Sequence, residues 1–244
     1  MNYNWNWRIF WEISPDATDT YFGLLINGLT WTVVTALLSW AIAFTLGSII
    51  GVLRTLPSRP ARIFGNAYVE LFRNIPLLVQ MFLWFFVLPE LVPRALGLWL
   101  KQLPNASFYT AVVCLGFFTS ARVAEQVRAG IASLPRGQLA AGTALGLTTA
   151  QTYRHVLLPM AYRIILPPLT SEFLNNLKNT SVALTIGLLE LTARARAMQE
   201  FSFQVFEAFT AATLLYLAIN LIATTAMRWI ERRLAVPGAA AVAR

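Results

Sequence analysis

The chain is 244 residues long, 57% hydrophobic and only 12% charged, with a formal net charge of +8 and a mean hydropathy of +0.59. Soluble domains carry about a quarter charged residues, so this composition excludes an ordinary soluble globule and points to a membrane protein. A single cysteine, Cys114, excludes an internal disulfide, and with only His155 beside it there is no basis for a Cys/His metal site. The basic residues flank apolar runs instead of covering one soluble face, which argues against nucleic acid as a partner.

The opening stretch, MNYNWNWRIFWEISPDATD, lacks the basic n-region and small-residue cleavage site of a signal peptide. Its Trp5, Trp7, Phe10 and Trp11 suit a helix lying at the membrane surface, so residues 1–21 are expected to form an extracytoplasmic interfacial segment. The runs 20–53, 102–121 and 208–227 hold no Asp, Glu, Lys or Arg. Each reaches the length, about twenty residues, that a helix needs to cross roughly 30 Å of hydrocarbon.

Spanning helices are expected near 22–53, 65–89, 106–131, 160–187 and 206–230, all inside one transmembrane domain over 22–234. The chain therefore reads as an all-α polytopic membrane protein with about five transmembrane helices. The first segment is longer than a span requires and should tilt or project. Residues 235–244, AVPGAAAVAR, read as a disordered tail.

Orientation follows from lysine and arginine placement. One set of connections holds Arg54, Arg59, Arg62, Arg122, Arg128, Arg136, Arg154, Arg163, Arg228, Arg232, Arg233 and Arg244. The opposite set holds only Arg8, Arg94, Lys101, Arg194 and Arg196. The positive-inside rule puts the richer set in the cytoplasm, hence the N-terminus outside and the C-terminal tail inside.

Catalysis finds no support. The only lysines, Lys101 and Lys178, each follow a leucine, so no Gly-x-x-x-x-Gly-Lys phosphate loop exists. A lone histidine without an acidic orienter makes a Ser-His-Asp arrangement untenable, and no catalytic residue is assigned. Near the cytoplasmic ends of the second and third segments, the i,i+3 spacing would let Glu70 pair with Arg73 and Glu125 with Arg128.

The fourth segment is different. It carries Glu172, Asn175, Asn176, Lys178, Asn179, Thr180 and Ser181 at membrane depth. An ionisable group there costs about 2.5–3.5 kcal/mol unless it pairs or faces water. Ser171, Asn175, Lys178 and Asn179 recur at helical spacing, so one face is polar, and Pro167 and Pro168 precede it with a kink or a helix start. These residues are expected either to line a substrate pathway or to join helices by hydrogen bonds.

The largest cytoplasmic connection, 132–159, is too polar for lipid and too rich in Ala, Leu and Gly for a slack linker. It contains Ala140-Ala141-Gly142, three residues, Gly146, nine residues, then Val156-Leu157-Leu158-Pro159. This resembles the signature loop of bacterial ABC importer permeases, Glu-Ala-Ala, three residues, Gly, nine residues, Ile-x-Leu-Pro. The stretches YVELFRNIPLLVQMFLWF (68–85), EQVRAGIASLPRGQ (125–138), LPPLTSEFLNNLKNTSVALTIGLLEL (166–191) and IERRL (230–234) are similar to the polar amino-acid branch of that family. The wording of 154–200 is most similar to glutamate/aspartate import permeases.

That resemblance implies a translocation subunit in the bacterial inner membrane that moves amino acids, glutamate or aspartate among them, by alternating access. It implies a second homologous permease, an ATPase dimer and an extracytoplasmic amino-acid-binding protein as partners, with membrane lipid around them. It implies no cofactor in this chain, ATP and Mg being held by the ATPase. Coupling would fall to Gln138, Leu139, Ala140, Ala141, Gly142, Ala144, Leu145, Gly146 and Leu147. Small residues would allow close approach, the leucines would supply an apolar anchor, and Gly146 would turn the chain out of a short helix.

Two positions depart from the family pattern. The usual Glu is Ala140, which removes a charge contact from the docking loop. The usual Lys-Asp-Thr-Ser reads Lys178-Asn179-Thr180-Ser181, and losing that carboxylate favours an anionic substrate. A passive channel or facilitator for small polar solutes, without an ATPase, is the rival expectation, and a membrane scaffold a third.

Overall fold

The computed structural model describes residues 3–15, 19–135 and 137–234. The tail 235–244 and Arg136 lie outside the described residues, so nothing bears on their expected roles. Among the described residues the structure is helical, apart from one isolated antiparallel bridge between Ile13 and Thr20.

A 3-10 turn, Trp7–Trp11, precedes α1 (Tyr21–Leu53) and α2 (Arg59–Asn74). Pro76 disfavours a helical conformation at Ile75, so α2 stops at Asn74 and α3 (Leu77–Phe82) begins afresh. Then follow a π turn (Leu83–Val87), α4 (Leu88–Leu91), α5 (Arg94–Gln102) and α6 (Ala106–Ala132). After α6 come α7 (Gly137–Ala144), α8 (Thr149–Thr152), a second π turn (Tyr153–Leu157) and α9 (Leu158–Asn179). A 3-10 segment (Thr180–Ile186), α10 (Leu191–Ser202) and α11 (Val205–Leu234) complete the described residues.

Both π turns have the same cause. Proline has no N–H and its ring clashes with the carbonyl four residues back. Pro89 follows one wide turn and Pro159 the other, and in each the residue before the proline bonds five residues back, Leu88 to Leu83 and Leu158 to Tyr153. The helix widens by one residue instead of breaking.

Among the described residues three helices are long and apolar enough to cross a membrane, α1, α6 and α11, and a fourth span results if Arg59–Asn74 and Leu77–Leu91 together form one broken crossing. The expected second span at 65–89 is thus interrupted at Ile75 and Pro76. The expected fourth span, 160–187, is α9 continued by its 3-10 segment, and its polar residues keep it out of the apolar set.

The chain forms two compact units, each assembled from three separate stretches. The first comprises Met1–Ala41, Ile75–Gly116 and Asn175–Ile222. One of its cores joins Ile9 to Leu25 of α1, Leu191, Ala195 and Met198 of α10, and Ala208 of α11. A second joins Met81 of α3 to Ala111, Cys114 and Leu115 of α6, and to Ala183 and Ile186. Glu190, fully buried, caps α10 by accepting from the Thr192 and Ala193 amides, and the Tyr216 hydroxyl donates to it at 2.7 Å. The N-terminal segment is tied down where the Asn6 amide donates to Glu207 at 2.7 Å, while Trp5, Trp7 and Trp11 stay exposed.

The second unit comprises Ile42–Asn74, Phe117–Leu174 and Ala223–Arg244. Its core is Ile50, Val69 and Ala124. Gly47 and Gly51 let α1 and α6 meet backbone to backbone, since a Cβ would stand 2.7 Å from the Ser120 carbonyl at the first and 2.8 Å from the Ala124 carbonyl at the second. Small residues four apart serve close helix packing in membranes, where dispersion contact replaces the hydrophobic drive.

Candidate functional site

In the second unit, α2, α6 and α9 enclose a polar pocket of about 330 Å³ lined by Arg73, Arg122, Glu125, Gln126 and Glu172. Glu125 is the electrostatic hub. Arg54 donates to its Oε2 at 2.6 Å, Arg128 to its Oε1 at 2.5 Å, and Arg73 approaches to 3.8 Å. The pairing of Glu125 with Arg128 follows the i,i+3 spacing. The pairing of Glu70 with Arg73 does not form: the Asn74 amide takes the Glu70 carboxylate at 3.0 Å, and Arg73 turns toward Glu125.

Arg122 lies with its guanidinium 4.6 Å from the Phe118 ring centre, which holds the side chain along its own helix. Glu172 places one carboxylate oxygen, Oε2, in a buried position without a hydrogen-bond partner. Arg73 and Arg122 line the same pocket as Glu172, so two guanidinium groups and two carboxylates share it. Such a pocket can hold a ligand bearing both carboxylate and ammonium groups.

Of the polar residues singled out in the fourth segment, Ser171 and Glu172 lie in this unit, and 175–181 belong to the other. Asn176 is fully buried, and its amide donates to the Ala36 carbonyl and the Ser39 hydroxyl, each at 2.9 Å. Thr180 is also buried, its hydroxyl turned back to the Leu177 carbonyl at 2.8 Å. Ser181 donates to the Lys178 carbonyl at 2.8 Å. Lys178 is exposed, and Asn175 and Asn179 are half-buried.

The loop 132–159 folds around α7. That short helix ends at Gly146, whose φ of +77° lies in the left-handed region. The Leu147 amide donates to the Gly142 carbonyl and the Gly146 amide to the Thr143 carbonyl, both at 3.0 Å, which is the hydrogen-bond pair of a Schellman termination. Gly142 is buried against Thr152, where a Cβ would come within 2.7 Å of the side chain. On the outside Leu139 and Leu145 are exposed, Leu145 at 81%, with Ala140, Ala141 and Ala144 beside them. Gln138 is half-buried and its amide oxygen has no hydrogen-bond partner, while Leu147 is partly covered. A capping box of Thr148 and Gln151 starts α8, and the Tyr153 hydroxyl anchors the loop to Thr55 at 3.0 Å.

The sequence profile of the binding-protein-dependent transport system inner membrane components matches residues 43–236. The chain belongs to that family. The glutamate/aspartate import permease protein GltJ of Escherichia coli K12 is 48% identical over 98% of both chains. The probable glutamine ABC transporter permease protein GlnM of Bacillus subtilis is 33% identical, over 87% of this chain and 94% of its own. A chain from the crystal structure of an amino acid ABC transporter with histidines superposes with a TM-score of 0.73 at 31% identity, covering 87% of this chain and 95% of that one. A chain of the MetNI methionine ABC transporter in an inward facing conformation gives a TM-score of 0.69 at 19% identity, over 88% and 98%, and shares the fold.

The protein is therefore an inner-membrane ABC importer permease for amino acids, a translocation subunit and not the ATPase. Arg73, Arg122 and Gln126 of its polar pocket escape a reading of the sequence. Arg122 counts there as a flanking cytoplasmic charge, and spacing along one helix cannot show that α9 brings Glu172 to it. The available signal was the run of ionisable residues near the ends of the second and third spans.

Proposed function

We propose that this permease imports glutamate and aspartate by alternating access, driven by a separate ATPase dimer that binds ATP and Mg and docks on α7. A second permease completes the pathway, and an extracytoplasmic binding protein delivers substrate at the N-terminal side. The observation that carries the coupling is α7 itself. It is a glycine-terminated helix packed closely on Thr152 through Gly142, yet it leaves Leu139 and Leu145 uncovered. An apolar anchor ringed by small residues is what a docking contact needs, and a passive facilitator has no use for it. Ala140 offers no carboxylate, so docking rests on shape and apolar contact, with the Gln138 amide as the adjacent polar group.

The substrate class is supported by the pocket. Arg73 and Arg122 suit the carboxylates of an acidic amino acid and the free Glu172 oxygen suits its ammonium. GltJ, similar over nearly its whole length, is by name a glutamate/aspartate import permease. The test is gentle solubilisation of the tagged chain from its native membrane and mass spectrometry of what co-purifies. An ATPase with a phosphate loop and a second permease are expected. Repeated recovery of this chain alone would overturn the coupled importer in favour of a facilitator.

A further inference from the structure

A second cavity, in the first unit, is lined by residues that share nothing with the polar pocket. It measures about 520 Å³ and is walled by Trp84, Phe85, Leu88, Leu100, Leu103 and Val113, almost all apolar. Two local devices shape it. The π turn before Pro89 swings Trp84 and Phe85 onto its wall. Gly97 then lets α5 lie directly on α4, because a Cβ there would stand 2.1 Å from the Pro89 carbonyl. The floor is the first turns of α6, Ala106 to Val113, where an apolar spanning helix enters the bilayer.

At the edge of this apolar cavity stands one ion pair, Lys101 with Glu90, both side chains open to the surroundings at 44% and 67%. Beside it Trp99 and Tyr109 are exposed, as interfacial aromatics are. We infer that this cavity is a lipid site: it takes one acyl chain of a zwitterionic phospholipid whose ammonium meets Glu90 and whose phosphate meets Lys101. The apolar walls exclude a polar amino acid, which would leave its charges unpaired there. The mouth is already a neutral pair, Lys101 bound to Glu90, with both groups open to further contacts. A zwitterionic headgroup can lie across that pair with its charges alternating, whereas an anionic one meets Lys101 and confronts Glu90 with a like charge. A volume of this size at a membrane entry is filled by hydrocarbon more favourably than by water.

The test uses the assembled transporter in nanodiscs of equal phosphatidylethanolamine and phosphatidylglycerol, released and weighed by native mass spectrometry. The wild type is expected to retain one phosphatidylethanolamine per copy of this chain. Val113→Trp fills the cavity and should lose that lipid. Glu90→Lys, at an exposed position that folding tolerates, makes the mouth doubly cationic and should invert retention toward phosphatidylglycerol. A wild type that retains no phosphatidylethanolamine overturns the site and points to a protein segment as the occupant. Unchanged retention in Val113→Trp, or an unchanged lipid ratio in Glu90→Lys, overturns it equally.

Discussion

The Asn176 amide donates to the Ser39 hydroxyl at 2.9 Å while both side chains are closed off from solvent, so α9 is stitched to α1 inside the first unit. A second bond from the same amide reaches the Ala36 carbonyl. Asn176→Leu deletes both and leaves the Ser39 hydroxyl on the Ala36 carbonyl, at 3.1 Å within α1; losing the bonds between the helices should destabilise the fold by about 1–2 kcal/mol. Thermal unfolding in detergent is expected to fall for this variant. Asn175→Leu and Lys178→Met, at less buried positions of the same helix, should melt like wild type and act on uptake if they line the path. Full thermal stability with lost uptake in Asn176→Leu would instead place that residue among the pathway groups.

Gly146 terminates α7 in the left-handed region with open space around the missing Cβ. The obstacle to substitution is backbone conformation and not room. A β-branched residue at this φ costs about 1–2 kcal/mol or forces the turn into another shape. Gly146→Val should therefore displace Leu145 and Leu147 relative to α7 and abolish ATP-coupled uptake, with insertion and yield intact. Gly146→Ala should retain part of the activity. Stimulation of ATP hydrolysis by the loaded binding protein in proteoliposomes is the readout, and a wild-type response in Gly146→Val would remove α7 from the coupling path.

Glu125 holds Arg54, whose side chain is only 10% exposed, against the junction of α1 and α2. The stem of Arg54 also packs over Gly65, where a Cβ would meet its Cγ at 2.5 Å. Removing one partner of such a pair leaves an uncompensated charge, at about 3–5 kcal/mol when burial is complete and less here, where Glu125 is 27% exposed. Glu125→Ala should thus lower the unfolding midpoint, and the double variant Glu125→Ala with Arg54→Met should recover part of the loss. A double variant no more stable than Glu125→Ala alone would show that the pair is not what stabilises the junction.

The membrane character, the helical class and the family pattern of the loop after α6 were legible in the sequence because each is written locally. Charge-free length marks α1, α6 and α11, and the spacing from Ala140 to Pro159 marks the loop. What joins separate helices was not legible. Asn175 and Asn176 are neighbours in the chain but lie about 100° apart around the helix, so one is spent on α1 and the other is not. The interruption at Ile75 and Pro76 was foreshadowed by the proline, yet overall hydropathy masks it. The π turns carry a sequence cue, Pro89 and Pro159, but periodicity alone cannot tell a widened turn from a broken helix.

The polar pocket makes the sharpest demand on the substrate assignment. If Arg122 meets a carboxylate of the transported amino acid, a charge-assisted hydrogen bond of about 1.5–3 kcal/mol is at stake. Arg122→Gln should then weaken glutamate and aspartate uptake by about 10- to 100-fold, since each 1.4 kcal/mol is a factor of ten. Competition by glutamine should improve relative to glutamate, because a neutral side chain no longer forfeits a guanidinium contact. Glu172→Gln tests the other end of the ligand: losing the partner of the ammonium should reduce uptake of all three amino acids alike. Uptake in proteoliposomes, with a saturating binding protein loaded with each amino acid in turn, separates the two patterns. Equal losses for all three substrates in Arg122→Gln would mean that its guanidinium maintains the pocket and does not select the acidic side chain.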